Sequence, residues 1–106
     1  MTAMEAQDLL FEFGKWARMR PDGWYRCALA QPSRLFWRMT DEEALRIDRV
    51  LCVIGKRWPL TAHVMVLRYV HSLTVRQIAR LVRKSAKSVL RLLEKGLYRF
   101  MEEIEK

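Results

Sequence analysis

Acidic residues are almost missing from one stretch of this 106-residue chain, Thr61 to Met101, where nine lysines and arginines face Glu94 alone. The formal net charge is +8, and because the rest of the chain sums to zero, the whole excess resides in that one region. A field this one-sided attracts a polyanion and releases its counterions, which favours nucleic acid over an acidic protein partner. A merely solvated basic face is the competing account.

Cysteine is scarce too. Cys27 and Cys52, taken with His63 and His71, lack the close paired spacing of a structural zinc site, so separate reduced thiols are expected, with no metal and no cofactor. No apolar run approaches the roughly 20 residues of a membrane span. The start of the chain, with Glu5 and Asp8, lacks the basic opening of a signal peptide, so a cytoplasmic protein with no membrane contact is expected. There is no repeat and no low-complexity tract. Neither histidine has a nucleophile near it in sequence. Asp41, Glu42 and Glu43 suit the positive start of a helix, and Glu102, Glu103 and Glu105 form a solvated tail. Nothing in the chain points to an enzyme.

What is present is a chain able to fold, with 51% hydrophobic residues, as one domain or one domain plus an arm. Its most informative stretch runs from Leu73 to Leu92. Thr74 with Gln77 three residues later makes a capping box ahead of Ile78, Ala79 and Val82, so a helix starts at about Val75. Ser85 offers a second cap, followed by Val89, Leu92 and Leu93 at helical spacing. Two helices packed steeply over a short turn need a small residue where they cross, and Ala79 supplies it. Ile78 and Val82 are then expected to meet Val89 and Leu92. Lys84, Ser85, Lys87, Ser88 and Arg91 are left facing outward near the second helix's start, where a helix-turn-helix unit contacts a DNA groove. Arg76 and Gln77, at the start of the first helix, join them as candidate DNA-binding residues. A plain helical hairpin in a small bundle would satisfy the same caps and spacing, but it has no need of so basic a face. The turn position that often holds glycine is Arg83, so the turn must tolerate a Cβ.

The remainder reads as all-helical. Met4 to Ala17 places Leu9, Leu10, Phe13 and Trp16 along one side and ends near Arg18 to Pro21. A second capping box, Thr40 with Glu43, opens a helix through Lys56 with Ala44, Ile47, Leu51 and Ile54 inward, closed by Trp58-Pro59. A third helix is expected over about Ala62 to His71, burying Val66, Leu67 and Val70. The last runs on to Ile104, and its Leu97, Phe100 and Met101 pack back on the core. Two parts follow: residues 1–39, an N-terminal helix with an aromatic and basic loop, and residues 40–106, a helical domain with the helix-turn-helix at 74–101.

The stretch Met19 to Met39 is too long for an idle connection. It sets Trp24, Tyr25, Phe36 and Trp37 among Arg20, Arg26, Arg34 and Arg38, a mixture suited to a protein interface or to stacking on unpaired bases. Arg20, Trp24, Tyr25, Arg26, Arg34 and Arg38 are the candidates for such contacts. For Phe36 and Trp37, plugging the core is an equal alternative.

The run from Pro59 to Phe100, with Val66-Leu67-Arg68-Tyr69 ahead of the two helices, resembles the σ-factor region four pattern. Nearly the whole chain resembles something narrower. Trp16 in its Gly-Lys-Trp-Ala context, the Trp24-Tyr25 loop, the acidic entry at Thr40 to Glu43, the Ile47-Asp48 pair, Tyr69 and Ile78-Ala79 together look like the Q-type transcription antiterminators. These are encoded by lambdoid phages related to phage 21 and include the AlpA-type bacterial regulators of prophage origin. That resemblance implies a protein that binds a double-stranded DNA element near a promoter and loads onto a paused, σ-containing bacterial RNA polymerase. It then suppresses termination by narrowing the RNA exit channel, with nascent RNA as a further candidate contact. The family's DNA reader maps onto Lys84, Ser85, Lys87, Ser88 and Arg91. An initiation-only helix-turn-helix repressor or activator, and a σ-like or anti-σ module without its own DNA site, use the same kinds of surface and stay open.

Overall fold

The computed structural model describes residues 1–19 and 39–106. Those residues form five helices and no strand: α1 (Ala3–Met19), α2 (Asp41–Arg57), α3 (Pro59–Tyr69), α4 (Val75–Val82) and α5 (Ala86–Ile104). The expected all-α class is observed. None of the described helices is long and apolar enough to cross a membrane.

α1 turns Ala6, Leu10, Phe13, Trp16 and Ala17 inward at helical spacing, and all five are buried. The Phe13 and Trp16 rings stack with centroids 5.9 Å apart, and fully burying one such side chain contributes about 1.5–3 kcal/mol. This helix shares one hydrophobic interior with residues 40–106, since α5 packs against all four other helices. The indole N–H of Trp16 donates to Asp41 Oδ1 at 2.8 Å, tying the end of α1 to the first turn of α2.

α2 begins where Thr40 accepts the Glu43 N–H through its side chain. Only this half of the expected capping box is formed, and Asp41, Glu42 and Glu43 complement the positive end of the helix. Ala44, Ile47, Leu51 and Ile54 are buried as the pattern requires, with Val50 added.

Two expectations about α3 need correction. Trp58-Pro59 closes α2 as expected, but α3 starts at Pro59 itself rather than at about Ala62, because the missing N–H and fixed φ of proline suit the first position of a helix. The helix ends at Tyr69 rather than His71. Its buried face is Thr61, Ala62, Val64, Met65 and Tyr69, while Val66 and Leu67 are only partly covered. α3 is apolar almost all round, so its partners choose the face. α5 approaches closely at Gly96, where an added Cβ would stand 2.5 Å from the Met65 sulfur and 3.0 Å from Thr61 Cγ2.

Candidate nucleic-acid interface

The unit from Thr74 onward is held in place by the turn before it. The Arg68 guanidinium lies over the Phe11 ring at 5.5 Å and donates to the Leu73 carbonyl at 3.0 Å. Phe11 meets Tyr69 edge-on, 4.9 Å between centroids. From the other side Arg18 donates to the Val70 carbonyl and, at 3.1 Å, to Ser72 Oγ. Two arginines therefore fasten a turn in which Ser72 adopts a left-handed φ of 56°. Burial raises the Tyr69 phenol above its ordinary pKa, against opposite pulls from the Arg68 charge and a hydrogen bond with Gln7.

α4 has only eight residues, too few to persist alone. Its start carries the complete capping box: Gln77 N–H donates to Thr74 Oγ1 at 3.2 Å, and Thr74 N–H donates to Gln77 Oε1 at 2.9 Å. Ile78 is fully buried, and Val75, Ala79 and Val82 pack against the core around it. The helix stops at Arg83, with φ 57° and ψ 44°. The Lys84 N–H then donates to the Ala79 carbonyl at 3.0 Å, the six-to-one bond that a left-handed helix end provides. A three-residue turn leads into α5, whose cap is Ser85, accepting the Ser88 N–H at 3.1 Å. Val89 and Leu93 are buried, and Leu92 is partly so. Ile78 and Val89 are thus the fully covered residues of this helix pair, with Val82 and Leu92 only partly covered.

Around this scaffold the cations stand outward. Arg76, Lys84, Ser85, Lys87 and Arg91 are exposed, and Ser88 is half-buried. Gln77 is exposed, but its amide oxygen is engaged in the cap. Ser85 and Ser88 share a hydrogen bond of 3.0 Å. Arg80, Arg83 and Lys95 are exposed as well, and the sequence pattern alone did not single them out. Periodicity could have found them, since Lys87, Arg91, Lys95 and Arg99 recur at every fourth residue of α5. Among the described residues none of Arg76, Arg80, Arg83, Lys84, Lys87, Arg91 and Lys95 lies within ion-pairing distance of a carboxylate.

The first turns of α4 and α5 hold no acidic residue, in contrast with α2. Helix starts are partially positive already. Lys84 and Lys87 add charge of the same sign where the dipole is least able to accommodate it, an arrangement that an arriving anion relieves.

Arg20, Trp24, Tyr25, Arg26, Arg34 and Arg38 lie outside the described residues. So does Cys27, while Cys52 is a free, exposed thiol. No group of three His, Cys, Asp or Glu residues converges among the described residues. Comparison with family models, with curated proteins and with solved structures gave no match.

Proposed function

We propose that this chain is a DNA-binding transcription antiterminator. In this reading α4, its turn and α5 act as a helix-turn-helix that reads a duplex element near a promoter. A second surface holds a paused, σ-containing RNA polymerase, narrows the RNA exit channel and so suppresses termination, with nascent RNA as a further candidate contact. Such a protein works in the bacterial cytoplasm. The observation that carries the DNA half is the group of seven exposed cations on α4, its turn and α5, none of them ion-paired among the described residues, with no acidic residue in the first turn of either helix. In that geometry Arg91 is suited to the edge of guanine and Lys84 to phosphate.

The polymerase half is supported by the resemblance to the Q-type antiterminators that runs through Trp16, Thr40 to Glu43, Ile47-Asp48, Tyr69 and Ile78-Ala79. It also has a physical ground. Leu90 and Tyr98 are 54% and 57% exposed and line one groove with Phe11, Leu93 and Leu97, and a contiguous apolar groove suits a protein contact. An initiation-only repressor or activator would use the same cationic face.

In-vitro transcription separates these readings, on a template carrying the native promoter region and a distant intrinsic terminator. The antiterminator raises readthrough, and does so only when the upstream DNA element is present. An initiation factor changes transcript number with the terminated fraction unaltered. A polymerase module lacking a DNA site acts on templates with and without the element.

A further inference from the structure

The cationic row of α5 does not stop with the residues assigned to base reading. Lys87, Arg91, Lys95 and Arg99 are all exposed and spaced by four. At 3.6 residues per turn each step rotates the row by about 40°, so over the three steps it winds by about 120° and advances about 18 Å. It ends at the corner between α2 and α3. There the Arg99 guanidinium lies over the Trp58 ring, 4.1 Å from the centroid, and that of Arg57 lies over the same indole at 5.5 Å.

Trp58 sits on a backbone fixed from both sides. It is half-buried, its backbone N–H donates to the Ile54 carbonyl at 2.7 Å, and its backbone carbonyl accepts from the Ala62 N–H at 3.0 Å. Two like charges are therefore gathered on one ring, with no carboxylate within ion-pairing distance of either among the described residues. Stacking holds a guanidinium by its face and leaves its N–H edge available, and that planar fork matches two oxygens of a phosphate. Arginines ordered in advance lose less conformational freedom on binding than free surface side chains do.

We infer that Arg57, Trp58 and Arg99 form a second nucleic-acid site, which clamps the phosphodiester backbone of duplex DNA flanking the element read by the start of α5. The inference rests on the DNA-binding reading above. Duplex is the favoured form because the cationic row runs unbroken from the reading residues to the clamp. Trp58, its ring already occupied by two guanidinium groups, is less open to an unpaired base.

The test uses the full chain and a random-sequence duplex of about 30 base pairs, with single-stranded RNA of equal length alongside. Affinity is followed by fluorescence anisotropy across a tenfold range of salt. Arg57→Gln and Arg99→Gln are each expected to lower the slope of log K against log salt by about 0.9, or about eightfold in affinity over that range. Trp58→Phe, which keeps every charge, is expected to give a smaller loss in the same direction. Arg91→Gln serves as the reference for the reading face.

If Arg91→Gln weakens duplex binding while both clamp variants leave slope and affinity unchanged, the clamp is overturned and the reading face stands. If none of the three affects duplex binding, the DNA-binding reading itself fails. A fall in melting temperature with an unchanged salt slope would make Arg99 a staple for α5 rather than a phosphate ligand. A loss confined to the RNA probe would overturn the assignment to duplex DNA.

Discussion

A Cβ placed on Gly14 would stand 1.9 Å from the carbonyl oxygen of Tyr69, so α1 and α3 cross there backbone to backbone. The obstacle is main chain and cannot swing aside. Gly14→Ala is expected to destabilise the protein by about 3 kcal/mol or more, at the upper end of overpacking costs. At Gly96 the obstacle is side chain rather than main chain, Met65 Sδ at 2.5 Å and Cγ at 2.9 Å, which can shift in part where a carbonyl cannot. Gly96→Ala should therefore cost less. Urea unfolding of the two variants checks the contrast, and equal losses would show that α1 and α3 do not touch so closely.

Alkaline pH should expose the burial of Tyr69. Its phenol is raised above the ordinary value of 10.0, so the folded state holds the proton more tightly than the unfolded one. The stabilisation that this represents is complete below about pH 10 and is lost as pH rises through the folded value. Unfolding free energies of wild type and Tyr69→Phe, compared at about pH 8 and about pH 11, should fall more steeply for wild type. Parallel falls would place the phenol in water.

Arg83 combines a left-handed backbone with an exposed cation. That conformation costs a residue with a Cβ about 1–2 kcal/mol, and glycine's greater freedom when unfolded offsets part of any relief. Arg83→Gly is expected to raise stability by about 0.5–1 kcal/mol while weakening DNA binding. Opposite signs in a thermal melt and a gel shift are the signature. A loss of both would mean that the arginine side chain braces the turn.

Arg91 and Lys84 should fail differently. Arg91→Ala is expected to cost about 1–3 kcal/mol on the preferred element and to relax the choice of base at one position. Lys84→Ala should weaken binding evenly across sequences and reduce the salt slope by about one. Competition gel shifts with single-base variants of the element separate the two patterns, and a uniform loss for Arg91→Ala would remove it from base reading.

The residues legible in the sequence were those whose partners are near in the chain. Thr74 with Gln77, and Ser85 with Ser88, are local hydrogen bonds, which depend on a short polar side chain meeting an N–H three residues on. The face of α3 was not legible, because an almost wholly apolar helix takes its orientation from Gly96, some thirty positions away. The turn at Arg83 hid its left-handed backbone behind a residue type that rarely adopts it. The gathering of Arg57 and Arg99 on Trp58 depends on the tertiary fold, and no spacing along the chain announces it.

Between Arg57 and Pro59 the chain has a single residue, Trp58, with which to turn from one helix into the next. Such a corner contains no slack. One residue added or removed there would change where and at what angle α3 leaves α2, and with it the place of Thr61 and Met65, which meet α5 at Gly96. Length changes should therefore be rejected at this corner, even where exchanges of side chain are absorbed.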